Sequence, residues 1–104
     1  MSGSVSVLEP EGIIDTTGGN KLRSDVSTLL DAGAERILVD LKNITFMDSA
    51  GLRAMVATQQ LTRAKGAKLY ICSLHDQLQI ALELAKMDRF FDILPDRAAF
   101  DQSA

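Results

Sequence analysis

A change of hydrophobic period constrains this chain most. Leu22, Val26, Leu29 and Leu30 recur at i, i+4, i+7 and i+8, the spacing of one buried helix face. Soon afterwards Ile37-Leu38-Val39, with Leu41, forms a short, branched, nearly unbroken apolar run. Such a run suits a strand covered on at least one face and often parallel to its neighbours. A helical stripe feeding a strand of this kind implies layered α/β architecture, because each element must bury its apolar side against the other.

The alternation extends in both directions. Residues 4–8 read as a strand with Val5 and Val7 on one face. Glu9-Pro10-Glu11 reads as a turn, since proline presets the backbone angle, and residues 12–15 read as a second strand paired with the first as a hairpin. TTGGN, residues 16–20, reads as a loop; the first helix covers roughly 19–32 and stops at Gly33 in a left-handed conformation. After Lys42-Asn43, Ile44 and Phe46 re-enter the core. A second helix runs from about Ala50 to Lys65, ended by Gly66. It carries a bulky stripe of Leu52, Met55 and Val56, and a small one of Ala50, Ala54, Ala57, Leu61 and Ala64. The bulky stripe is expected on the sheet, where it buries more area; the small one packs on another helix or faces a partner. Residues 68–72 form the next strand, and Ser73 with Asp76 resembles a capping box opening a third helix through Leu78, Ala81, Leu82 and Ala85. Residues 92–94 read as a short edge strand, with Pro95 in the first turn of a last helix reaching about Gln102. The order β-β-α-β-α-β-α with a β-α tail is that of an α/β sheet with crossovers. A length of 104 residues fits one domain, residues 1–104.

Composition removes several functions. The net charge is −3 and the basic residues are scattered, which argues against nucleic acid; one tyrosine and no tryptophan leave little for base stacking. No apolar run reaches the roughly 20 residues of a membrane span, and MSGSVSVLEPEG lacks the basic and apolar regions of a signal peptide. A single cysteine fits a reducing cytoplasm. Cys72 and His75 match no common zinc spacing, and no cofactor is expected; Asp15, Asp40 and Asp48 are metal ligands on paper, although isolated acids at strand ends more often cap or face water. GGNK at 18–21 is too short for a phosphate loop.

The chemistry concentrates in ITFMDSAGL, residues 44–52. Asp48 and Ser49 at a strand-to-helix junction are open to three readings. One of them is an N-cap, worth about 1 kcal/mol. A nucleophile is the second, but only His75 is available as a base and DSAGL is not the G-x-S-x-G elbow. The third is a phosphorylation switch. Helix N-terminal N–H groups are unpaired and partly positive, so a phosphate of about −1.5 to −2 charge is accommodated there while changing what can dock over the helix end.

The residues that carry the motif resemble a family. ILVDLKNITFMDSAGL at 37–52, GIID at 12–15, GAKLYICSL at 66–74 and ELAKMDRFFDIL at 83–94 are similar to STAS domains, and within them to bacterial anti-anti-sigma factors, the anti-sigma factor antagonists. The resemblance covers essentially the whole chain. It implies a small mixed β-sheet of four to five strands with about four helices largely on one face. It also implies binding rather than catalysis: an antagonist that engages an anti-sigma factor, a serine kinase of the histidine-kinase ATPase type, releases it on phosphorylation, and is reset by a serine phosphatase. The motif serine falls on Ser49, the preceding acid on Asp48, and an interface acid on Asp15. Thr16, Ala50, Gly51 and Arg53 are expected to line the same partner-binding surface, with Gly51 either letting the partner backbone approach or simply packing the helix start. Ala50 stands where relatives often carry a second hydroxyl, and Lys42 replaces a common small polar residue. The alternative is a STAS scaffold or interaction subunit without phosphorylation, in a larger regulatory or transport assembly.

Overall fold

The computed structural model describes residues 4–102. The chain runs through β1 (Ser4–Leu8), β2 (Gly12–Ile14), α1 (Thr16–Asp31), β3 (Ala34–Asp40), β4 (Ile44–Met47), α2 (Ser49–Ala64), β5 (Lys68–Cys72), α3 (Asp76–Leu84), β6 (Asp92–Leu94) and α4 (Arg97–Gln102). The strands form a four-stranded sheet in the order β1-β3-β5-β6 and a separate two-stranded sheet of β2 and β4. The expected α/β alternation stands, with six strands among the described residues in place of four to five.

The expected hairpin does not form. β1 pairs with β3, β2 with β4, β3 with β5 and β5 with β6, and all four pairings are parallel. Glu9-Pro10-Glu11, expected as a turn, is an irregular link that hands the chain to a different sheet. Gly12 sits at φ +85 and donates its N–H to the Asn43 carbonyl at 3.0 Å, beside β4. Parallel strands need crossovers, and the helices supply them.

β3 divides the core by its pleat. Ile37 and Val39, with Leu41 just beyond the strand, join Val26, Leu30, Met55, Leu69, Ile71, Leu78 and Leu82 in the main cluster. Leu38 points the other way, to Cys72 and Phe100, with Val7, Tyr70 and Leu94 around them. So α1, α2 and α3 cover one side while the short α4 covers the other. Phe100 meets Tyr70 edge-on at 5.4 Å, and the Arg36 guanidinium lies 4.7 Å from the Phe100 ring centre. This caps the second cluster with a cation over an aromatic face.

Helix starts differ from those read in sequence. α1 begins at Thr16, earlier than expected, because Asp15 caps it through Gly18 N–H at 2.9 Å. Gly18 and Gly19 are therefore helical, not loop. α3 is preceded by His75, which makes no side-chain cap bond; Ser73 is not the cap but sits at φ +62, its hydroxyl 3.6 Å from the Cys72 sulfur. α4 is capped by Asp96, which accepts from the Ala99 N–H at 2.9 Å, so Pro95 lies outside it. Gly33 and Gly66 terminate α1 and α2 at φ +95 and +75, as the left-handed stop requires.

The two stripes of α2 are resolved by packing. Met55 is buried in the main core, and Leu52 and Val56 pack half-buried against it. The small stripe meets α1: a Cβ placed on Gly19 would lie 2.5 Å from the Ala54 Cβ. Thr58 and Thr62 are buried because their hydroxyls donate back to the carbonyls of Ala54 and Thr58, at 2.7 and 2.8 Å.

Candidate functional site at the start of α2

Two strand-to-helix junctions lie side by side. β2 leads into α1 and β4 into α2, with Ile14 opposite Met47 in the ladder. The Asp48 N–H continues that ladder to the Ile14 carbonyl at 3.2 Å. Each junction has the same construction: Asp15-Thr16-Thr17-Gly18 and Asp48-Ser49-Ala50-Gly51. The Asp15 Oδ1 accepts from Gly18 at 2.9 Å, and the Asp48 Oδ1 from Gly51 at 2.7 Å. Both aspartates hold extended backbone, the geometry of an N-cap. Asp48, not Ser49, is the cap of α2.

That division of labour leaves Ser49 as the first residue of a 16-residue helix, with its side chain exposed. Among the described residues no hydrogen bond holds its hydroxyl. The Gly51 N–H is taken by Asp48, and the Leu52 N–H enters the helix at the Asp48 carbonyl, 2.9 Å away. The N–H groups of Ser49 and Ala50 lie ahead of the helical ladder, where donors and the positive end of the helix dipole coincide.

The remaining expected residues divide. Asp15 is half-buried, Thr16 exposed, Ala50 half-buried and Arg53 exposed. Gly51 is buried, which corrects its expected place on the partner-facing surface. A Cβ there would fall 1.8 Å from the Ile14 carbonyl oxygen. Its missing side chain lets α2 start against β2 within this chain. Lys42 reaches Glu9 at 3.5 Å and the buried Asp40 at 3.6 Å, and Asp40 also accepts from the Lys42 N–H. Lys42 thus neutralises a carboxylate at the end of β3. His75 stands with Phe46, Met47 and Leu78 in a groove between β4 and α3.

Phe46 was expected in the core and is not there. It is 55% exposed, beside Ile13 at 49%, while Ile44 is buried. The cause is a register shift: Gly12 faces Ile44, but Ile13 faces Phe46, leaving Thr45 as an extra residue. The Thr45 hydroxyl bonds the Gly12 carbonyl at 3.1 Å. A bulge re-aims the side chain after it, and strict alternation from Ile44 could not reveal this.

Comparison with known proteins agrees with this architecture. SpoIIAA, an anti-sigma factor antagonist solved in its unphosphorylated form, superposes with a TM-score of 0.76 at 17% identity, covering 99% of this chain and 91% of that one. BtrV of Bordetella bronchiseptica, named as a proposed anti-sigma factor antagonist, is 22% identical over 89 residues, 86% of this chain and 77% of the relative. An anti-sigma F factor antagonist of Paenibacillus polymyxa is 31% identical over 61 residues, 59% of this chain and half of the relative. The STAS domain family model matches residues 2–99. The chain therefore belongs to the STAS domain family.

Proposed function

We propose that this protein is an anti-sigma factor antagonist that works as a partner switch, with Ser49 as the phosphorylated residue. The observation that carries the reading is the exposed hydroxyl of Ser49 at the first turn of α2, beside a cap formed by another residue. Because Asp48 does the capping, Ser49 can be modified without removing the bond that starts the helix. The partner is an anti-sigma factor that is also a serine kinase of the histidine-kinase ATPase type; a serine phosphatase resets the switch in the cytoplasm. The relatives named as antagonists support the partner class.

Asp15, Thr16, Asp48, Ala50 and Arg53 form the rim of the docking surface in this reading. The unmodified surface binds. The modified one carries a dianion that has to be dehydrated before a partner can close over it, and burying an unpaired charge costs far more than burying a hydroxyl. Release follows without a change of fold. The chain acts by binding, not by turnover.

Intact-mass measurement after incubation with the cognate kinase and ATP tests the assignment. One phosphate is expected on the wild-type chain and none on Ser49→Ala, which keeps its affinity for the kinase, whereas Ser49→Asp loses it. Phosphate appearing on Ser49→Ala would refute the site. Affinity that never responds to ATP and kinase would favour a scaffold role.

A further inference from the structure

The bulge at Thr45 leaves two large apolar side chains side by side in water. Ile13 and Phe46 face each other across the β2–β4 ladder and are 49% and 55% exposed. Each lies two positions before a capping aspartate, Asp15 or Asp48. Ser49 lies three positions after Phe46, a span of at most about 11 Å even when fully extended. A standard interface takes about 800 Å² from each partner, a disc of roughly 16 Å radius. A footprint of that size centred on Ser49 takes in Phe46 and its neighbour. The border of the patch is acidic. Asp15 and Asp48 each give one carboxylate oxygen to a helix N–H, and among the described residues neither pairs with a cation.

We propose that Ile13 and Phe46 are the apolar anchor through which the anti-sigma partner docks, and that this partner sets an apolar side chain flanked by arginine or lysine against them and the two aspartates. This rests on the proposed function and extends it from the switch residue to the residues that supply affinity. A second copy of this chain is the wrong occupant. A two-fold contact through the patch brings Asp15 and Asp48 toward their own counterparts, and like charges facing each other oppose association. The anchor also explains how a distant-looking phosphate acts. Apolar contact requires a dry interface, and a hydrated dianion within about 11 Å keeps water there.

The test uses the full chain and the purified serine-kinase anti-sigma factor from the same genome, with a non-hydrolysable ATP analogue so that Ser49 stays unmodified. Calorimetric titration is expected to show Phe46→Ser and Ile13→Ser each weakening binding at least about 30-fold, the effect of a hot-spot residue. Val5→Ser, at an equally exposed site on the other sheet, leaves affinity unchanged. Thermal melts of the two patch variants should match wild type, and Ile13→Ser serves alone if Phe46→Ser fails to fold. If both patch variants bind like wild type while Ser49→Asp does not, the anchor is refuted and the switch survives. If the patch variants lose binding but Ser49→Asp keeps it, the anchor stands and the switch falls. If the wild-type chain does not bind the kinase, both fall. Sedimentation showing a wild-type dimer that Phe46→Ser splits would assign the patch to self-association and overturn the proposal.

Discussion

Gly51→Ala is the substitution whose outcome the geometry fixes most tightly. In an ordinary helix the change is favourable by about 1 kcal/mol, because alanine restricts the unfolded chain and helps the helix. Here the added Cβ would lie 1.8 Å from the Ile14 carbonyl oxygen, 2.5 Å from its carbon and 2.9 Å from its Cγ2. Ordinary contact begins near 3.4 Å, so α2 and β2 must separate by about 1.5 Å. The obstacle is backbone, which cannot rotate away as a side chain would. It is also bonded: the same Ile14 carbonyl accepts the Asp48 N–H. Overpacking of this kind costs about 1–3 kcal/mol and at times more. With the ladder bond stretched as well, a net loss of about 2–3 kcal/mol is expected, or roughly 10 °C in Tm for a domain of this length. Urea and thermal unfolding measure it, with Gly66→Ala as the comparison. Gly66 has open space around it and only its φ of +75 to strain, a cost of about 1 kcal/mol. The reasoning fails if Gly51→Ala is as stable as wild type or loses less than Gly66→Ala.

Three further outcomes are expected. Asp15→Ala and Asp48→Ala should each lower stability by about 1 kcal/mol in urea unfolding, the worth of one N-cap, and equal losses would reflect the matched construction of the two junctions. Gly19→Ala alone should destabilise through its contact with Ala54, and adding Ala54→Gly should recover about 1 kcal/mol or more in a double-mutant cycle, since the two Cβ positions compete for one space. Burial pushes the Cys72 thiol above its usual range. The folded state thus holds a proton that the unfolded chain loses first, so the contribution is intact below the ordinary thiol pKa and falls away as pH rises through it; iodoacetamide at pH 8 should leave the native chain unmodified and label it in denaturant.

The sequence discloses element types far better than partners. The i, i+4, i+7 stripe of α1 and the branched run of β3 state their own conformations, because periodicity is a local property. Pairing is not. Glu9-Pro10-Glu11-Gly12 has every residue of a hairpin turn, yet the choice between β1 and β4 as the neighbour of β2 depends on residues thirty positions away. The start of α1 was obscured by Gly18 and Gly19, which read as loop by propensity and are helical because α1 approaches β2 and α2 too closely for side chains. The repeat of Asp-[Thr/Ser]-x-Gly at 15–18 and 48–51 was the available signal for it. At the site, a helix start with its cap at Asp48 or Ser49 was legible, but that Asp48 is the cap and leaves the Ser49 hydroxyl free was not. Phe46 was not, because a single extra residue in a ladder reverses which way a side chain faces.

The interleaved pairing of β1 with β3 and of β2 with β4 has a kinetic consequence. Ser4 meets Ala34, Gly12 meets Ile44 and Arg36 meets Lys68, so each of these ladders closes a loop of about thirty residues. Among the described strands only β5 and β6 are both consecutive in the chain and paired, and even Tyr70 and Asp92 meet across the whole of α3. Chains of this topology fold on the slower side of their size class, and a nascent chain on the ribosome has no sheet to form until β3 has emerged.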